Sequence, residues 1–241
     1  SRCLESTGCI NLVIASKHPL PQWLSMSEAE EHVAQGASAW DWAGNGGEDP
    51  DIVLAACGTI PTIELLATAE LLRTEVPELR VRFVNVTNLF TMALPGSHPD
   101  GMDEARFEEL FTRDRPVIFN FHGYASAVHQ LIHRRPSQER FHVRGYAEEG
   151  TTTTPFDLLA LNGVDRYQLG IEALSRVDTL ASEIVHGLSG EFAVRAIPDA
   201  QRAIDTFKTK LEELRAYIRQ EGNDPPEIAQ WTWSGNGAGP A

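Results

Sequence analysis

The chain has 241 residues, 42% of them apolar, and a formal net charge of −14. That acidity excludes a broad phosphate-neutralising face, so non-specific nucleic-acid binding is not expected. No run approaches the roughly 20 apolar residues of a membrane-spanning helix and no signal peptide opens the chain, so a cytoplasmic setting is expected.

The three cysteines, Cys3, Cys9 and Cys57, show neither metal-ligand spacing nor an even disulfide framework, and Cys57 reads as a buried thiol. Residues 10–15, INLVIA, are an apolar, β-branched run of strand length. A strand this early, with no initiator Met, gives the expectation of a piece of a longer protein. The turn Ser16-Lys17-His18-Pro19 follows. Lys17 stands beyond a strand's carboxyl end, where ligands gather in open α/β sheets; an ordinary solvated lysine is the alternative. Ser25 or Ser27 can cap a short helix over 29–35. The glycine-rich residues 43–50 do not lie between a strand and a helix, so they are not a dinucleotide fingerprint and read as a plain connector.

Residues 51–57, DIVLAAC, predict a second strand, Gly58-Thr59 a turn, 60–75 a helix with apolar Ile63, Leu66, Ala67 and Leu71 on its face, and VRFVNV, ending at Val86, a third strand. This is a βαβ unit, which implies parallel strands and a right-handed crossover. Asp103 caps a helix over 104–111, and PVIFNF at 116–121 is a fourth strand, followed by His122-Gly123-Tyr124. In the helix over 125–133, His129 and His133 share a face, but no third ligand is evident and no metal is expected. Arg134, Arg135, Arg140 and Arg144 then form a local basic cluster, either an anion site or partners for Glu139, Glu148 and Glu149. Phe141-His142-Val143 suggests a short fifth strand.

Residues 142–157, HVRGYAEEGTTTTPFD, hold four consecutive threonines and a helix start. Thr154 suits the cap, Pro155 the first helical position, and Asp157 the positive end of the helix dipole. Thr151, Thr152 and Thr153 are left unexplained by one cap. Helical patterns follow over the residues after 155 and over 164–174. After an uncertain stretch, Asp199 caps a long helix to about 220 with a stripe of Ala203, Phe207, Leu211, Leu214 and Ile218. Trp231 and Trp233 are expected to pack back on the body, and the last residues to be disordered.

Phe121-His122-Gly123-Tyr124 and VRGYAEEGTTTTPFDLLALNGVDRY, with INLVIASKHP, the W-D-W-A segment at 40–43, DIVLAACGT and PPEIAQWTW, resemble the C-terminal region of phosphoketolases over essentially the whole chain. The resemblance implies a mostly parallel, mixed open α/β sheet with helices on both faces, like the C-terminal domain of transketolase. It divides the chain into the last strand and linker of a preceding pyrimidine-binding domain (1–24), the C-terminal α/β domain (25–233) and a tail (234–241). It implies a homodimeric thiamine-diphosphate and magnesium enzyme, a carbon–carbon lyase. That enzyme cleaves xylulose 5-phosphate, and often fructose 6-phosphate, with inorganic phosphate to acetyl phosphate and an aldose phosphate. This chain has no Gly-Asp-Gly followed by the asparagine of the diphosphate site. No cofactor, metal or catalytic residue is therefore assigned to it, and alone it is expected to be inactive and to need the enzyme's remaining domains. The resemblance makes Lys17 the candidate sugar-phosphate ligand, although His18 replaces the family's usual glutamine. It makes His122, Tyr124, Arg144, Glu148, Glu149, Thr151, Thr152 and Thr153 candidates for an interface or channel-mouth loop. The competing readings are a noncatalytic dimerisation or effector-binding module using the arginine cluster, and a free-standing nucleotide-binding α/β protein, which lacks its fingerprint.

Overall fold

The computed structural model describes residues 7, 8, 10, 12–16, 19–148, 150–185 (backbone alone from 179) and 197–235. The strands are β1 Ala37–Ala39, β2 Ile52–Cys57, β3 Val81–Val86, β4 Val117–Phe121 and β5 Phe141–Gly145. The helices are α1 Met26–Gln35, α2 Thr59–Glu75, α3 Glu104–Phe111, α4 Ala125–Ile132, α5 Pro155–Asn162, α6 Arg166–Val185, α7 Ala200–Glu221 and α8 Pro226–Ala229. The sheet runs β1-β3-β2-β4-β5, with β1 antiparallel to β3 and the other neighbours parallel. This is the mixed, mostly parallel sheet expected from the sequence.

The strands read as continuous apolar runs because both sheet faces are covered. Ile52, Leu54, Phe83 and Ile118 pack under α2, α6 and α7. Val53, Ala55, Val84 and Phe119 pack against Phe107, Phe111 and Val128 of α3 and α4. Each such valine, leucine, isoleucine or phenylalanine contributes about 1.5–3 kcal/mol on leaving water. The α7 stripe holds: Ala203, Phe207, Leu214 and Ile218 are buried. Local capping does too. Ser25 accepts from Glu28 N while Glu28 accepts from Ser25 N, which starts α1 at Met26, three residues before the predicted start. Asp103 caps α3. Asp199 does not cap α7; its carboxylate accepts from Arg202 instead.

Residues 10 and 12–15, which the resemblance places in the last strand of a preceding domain, form no strand here, and Ile10, Leu12, Val13 and Ile14 are 83–99% exposed. Their pattern suits burial on two faces, which they do not receive here. The first strand is instead Ala37–Ala39, whose small residues carry no strand signal. Residues 43–50 form a connector, as read from the sequence, and its first residues are tied to the sheet edge. Trp40 N donates to Phe83 O, Asn45 N and Gly46 N donate to Val81 O, and the Asn45 amide brackets β3 by accepting from Val81 N and donating to Leu79 O. A Cβ on Gly44 would lie 2.6 Å from Val81 O, so glycine is needed there for close backbone approach. Residues 186–196, the core of the stretch left uncertain by the sequence, lie outside the described residues, as do 236–241 of the tail.

Candidate functional site at the carboxyl end of the sheet

The connection from β2 goes through α2 to β3 on one side, and the chain then returns across β2 to β4 on the other. Loops leaving neighbouring β2 and β4 therefore part to opposite faces, which is where ligands bind in such sheets. The crevice here is narrow. Gly58, with φ of 110°, is the N-cap of α2, and a Cβ on it would come within 2.8 Å of His122 Cβ. His122 N donates to Cys57 O at 3.2 Å. Cys57 is partly buried, and desolvation pushes its thiol up to about 11. Below this contact lies a void of about 10 Å³ lined by Ile60, Pro61, Asn120, His122, Tyr146 and Val164.

The loop after β5 closes the other side. Tyr146 N donates to Gly123 O, and its ring meets His122 edge-on at 6.5 Å. Tyr146 Oη donates to Glu148, which also accepts from Gly150 N. Burial and then this carboxylate raise the Tyr146 phenol above its usual range. The threonine run divides. Thr154 caps α5 through Asp157 N, as expected, and Thr153 Oγ1 donates to Asp157 Oδ2 while Arg215 donates to Oδ1. Thr153 is thus spent on fixing the helix start, whereas Thr151 and Thr152 are exposed at the mouth. His122, Tyr124 and Glu148 are exposed there too. Arg144 is not drawn to the loop: it pairs with Glu172 of α6 at 2.5 and 2.7 Å. Lys17 and Glu149 lie outside the described residues.

The arginine cluster does not converge. Arg135 is buried and donates to the carbonyls of Met92, Ala93 and Met102, with Glu104 balancing its charge. Arg140 donates to the carbonyls of Phe111, Thr112 and Arg115, and burial lowers it to about 10. These arginines satisfy loop carbonyls that no strand or helix pairs, and none of them bonds Glu139 or Glu148. His133 sits against Gln130 O at 2.7 Å.

One feature had no sequence signal beyond single polar residues inside apolar runs. Ser38, Asn85, Ala56, Asn120 and Arg144 are directly paired in register from β1 across to β5, so they lie on one face at one level. Thr62 Oγ1 donates to Gly58 O, Asn85 Nδ2 donates to Thr62 Oγ1, and so Asn85 Oδ1 accepts from His32 Nε2 at 2.8 Å. His32 Nδ1 meets the Ser38 hydroxyl at 2.6 Å, a partner that can donate to a neutral ring or accept from a charged one. Burial favours the neutral imidazole and lowers the His32 pKa, against the opposing effect of Asn85. Ser38 and His32 also line a groove of about 770 Å³ beside α1, with Trp40, Trp42, Arg82 and Arg106.

A pH dependence follows from two groups near β5 and α6. Burial, helped by Arg176, lowers His142 to about 4. Its contribution to stability is full above the unfolded value of about 6.5 and lost as pH falls towards 4. Burial raises Asp165 to about 6. Its contribution is full below about 3.8 and lost as pH rises through 6, so the two oppose each other in the same window. His142→Gln is expected to flatten the acid-side loss of stability between pH 6.5 and 4. Urea midpoints at several pH values check this, and an unchanged acid slope would refute it.

Thiamine diphosphate with magnesium needs convergent oxygen ligands and room for two rings. Among the described residues no three His, Cys, Asp or Glu side chains converge to hold a metal, and the crevice narrows to the 10 Å³ void. The described residues around His122 therefore do not fit that group. No described helix is long and apolar enough to cross a membrane.

Residues 17–233 match the family model described as the XFP C-terminal domain. A probable phosphoketolase of Rhodopseudomonas palustris (strain BisB5) is 42% identical over 233 residues, covering 97% of this chain and 28% of that protein. Probable phosphoketolases of Brucella abortus and Rhodopirellula baltica are 43% and 44% identical over 96% of this chain and 28% and 27% of theirs. The chain thus spans little more than a quarter of the curated relatives it matches. Among solved structures, a transketolase from Campylobacter jejuni aligns with a TM-score of 0.42 at 18% identity, over 65% of this chain and 20% of that one.

Proposed function

Since the chain belongs to the XFP C-terminal domain family, we propose that it works as the C-terminal domain of a phosphoketolase whose chemistry is supplied by residues outside it. The observation that carries this reading is the family match over 17–233 in a chain that covers 28% of a probable phosphoketolase. The whole enzyme, in this reading, is a cytoplasmic homodimer that uses thiamine diphosphate and magnesium. It cleaves xylulose 5-phosphate, or fructose 6-phosphate, with inorganic phosphate to acetyl phosphate plus glyceraldehyde 3-phosphate or erythrose 4-phosphate. The cofactor supplies the carbanion chemistry when bound. The contribution of this domain is positional. Residues 1–24 would join the preceding domain, which suits the exposure of Ile10, Leu12, Val13 and Ile14. The His122-Tyr124 turn and the Glu148–Thr152 segment would meet that domain or the second subunit.

The isolated 241-residue chain is expected to form no acetyl phosphate from either ketose phosphate and to bind no thiamine diphosphate by calorimetry, whereas a longer chain carrying the upstream region does both. Turnover or micromolar cofactor binding by the short chain would sink the proposal. Lys17, on the entering segment, is proposed to hold the sugar phosphate. A charge-assisted contact of about 1.5–3 kcal/mol predicts that Lys17→Ala raises KM in the long enzyme by roughly tenfold or more. An unchanged KM would return Lys17 to the solvent.

A further inference from the structure

All five tryptophans of the chain meet in one cluster, although they come from three segments. Trp40 and Trp42 follow β1 and form its base, 5.2 Å apart, with Trp40 stacked at 5.7 Å on Phe83 of the core. The outer layer comes from the two ends of the described domain. Trp23, on the segment entering α1, stacks on Trp42 at 6.3 Å and meets Trp231 of the tail at 6.4 Å. Trp233 of the tail meets Trp42 edge-on at 5.4 Å.

The tail is tied to the body on its other side. Trp231 Nε1 donates to Glu70 Oε2 at 3.1 Å, and the backbone N and hydroxyl of Ser234 donate to Glu70 Oε1. Arg73 lies 4.8 Å above Trp233 and Arg166 lies 5.2 Å above Trp231. Trp23 has ring contacts with Trp42 and Trp231, one on the body and one on the tail. The indole N–H groups of Trp23, Trp40, Trp42 and Trp233 are buried without a protein acceptor. A buried donor without an acceptor costs about 1–3 kcal/mol, while an aromatic pair contributes about 0.5–1.5 kcal/mol beyond burial. Trp23 and Trp231 touch across the outer layer, so losing either one removes a ring contact from the other.

We propose that the C-terminal tail and the segment entering α1 form a clasp, docking cooperatively on Trp42 so that the tail sets the path by which the chain enters the domain. The clasp holds the base of the segment that carries residues 10–16. Its use in fixing this domain against an upstream one rests on the function proposed above; the coupling itself does not.

Limited chymotrypsin digestion of the 241-residue chain tests it, with cleavage after Trp23 and after Trp233 followed by mass spectrometry. Glu70→Ala loosens the tail and has no contact with Trp23. It is expected to speed cleavage after Trp23 roughly tenfold, within the usual range of coupling between two sites. By reciprocity, Trp23→Ala should speed cleavage after Trp233 by a similar factor. Ending the chain at Gln230 should expose Trp23 at least as much. Cleavage after core residues such as Phe119 reports global unfolding; if the shortened chain shows it, the two point variants decide. Cleavage after Trp23 that stays at the parent rate with the tail released or removed would show that the two ends dock independently and overturn the proposal.

Discussion

Arg166→Ala is expected to cost about 3–5 kcal/mol of folding stability, the range seen when one partner of a buried ion pair is removed. Arg166 opens α6 and Glu64 lies in α2, and both side chains are 4% exposed. Arg166 gives Glu64 three hydrogen bonds, from its backbone N, Nε and Nη2, at 2.7–3.0 Å. Thr68 ties the same place by donating to Arg166 O. The large effect comes less from the attraction lost than from the Glu64 carboxylate left in the core beside Asp165, which is wholly buried. Glu64→Leu together with Arg166→Met should therefore recover much of the loss, since an apolar pair of similar volume leaves no charge behind. Urea unfolding of the two variants checks this. A loss below about 1 kcal/mol for Arg166→Ala would mean that the pair is hydrated and behaves like a surface bridge.

Gly145→Ala is expected to be the most damaging small change at the carboxyl end. A Cβ there would collide with the carbonyl oxygen of Gly123 and lie 2.5 Å from the amide nitrogen of Ala125. Both are backbone atoms, so no rotamer change relieves the contact, and β5 must move from the turn that follows β4. Overpacking of this kind costs about 1–3 kcal/mol. It should also part His122 from Gly58, seen as faster hydrogen exchange at the His122 amide, now bonded to Cys57 O. Gly150→Ala is the control: its φ is 74°, but nothing lies within 4 Å of the added carbon. A smaller loss and unchanged His122 exchange are expected there. Equal effects at the two glycines would show that the close approach at Gly145 is relieved without strain.

Much of this fold was legible where one physical rule dominated. The runs in β2, β3 and β4 are apolar on both faces because helices cover both, and continuous burial leaves a plain trace in sequence. Thr154-Pro155 was legible because a cap is local chemistry. The rest was less legible for another cause. Residues 10–15 have the same trace as β2, and sequence pattern states the environment a segment suits and not which domain provides it. Ala37–Ala39 pairs with β3 through backbone groups that every residue has. Of the candidate site, the turn at His122 and the loop through Thr151 and Thr152 were found at the sheet's carboxyl end. Asn85, Asn120 and His32 were not, since their pairing across the sheet depends on register. Arg135 and Arg140 were misread because an arginine that binds loop carbonyls looks, in sequence, like one waiting for an anion.

The segment that continues β1 past Trp40 bears on how these molecules behave at high concentration. An open sheet margin is a template on which another chain's strand can add, and proteins that leave one bare are prone to aggregate. Here Asn45 and Gly46 occupy Val81, and Arg106 reaches the outward carbonyl of Ala37. The β3 side of the sheet is thereby finished with irregular backbone that offers no regular ladder to a newcomer. Exchanging Asn45 for a residue without a side-chain amide would free Val81 N and Leu79 O together. Such a change should show itself as a shortened lag before light scattering, well before any fall in the melting temperature.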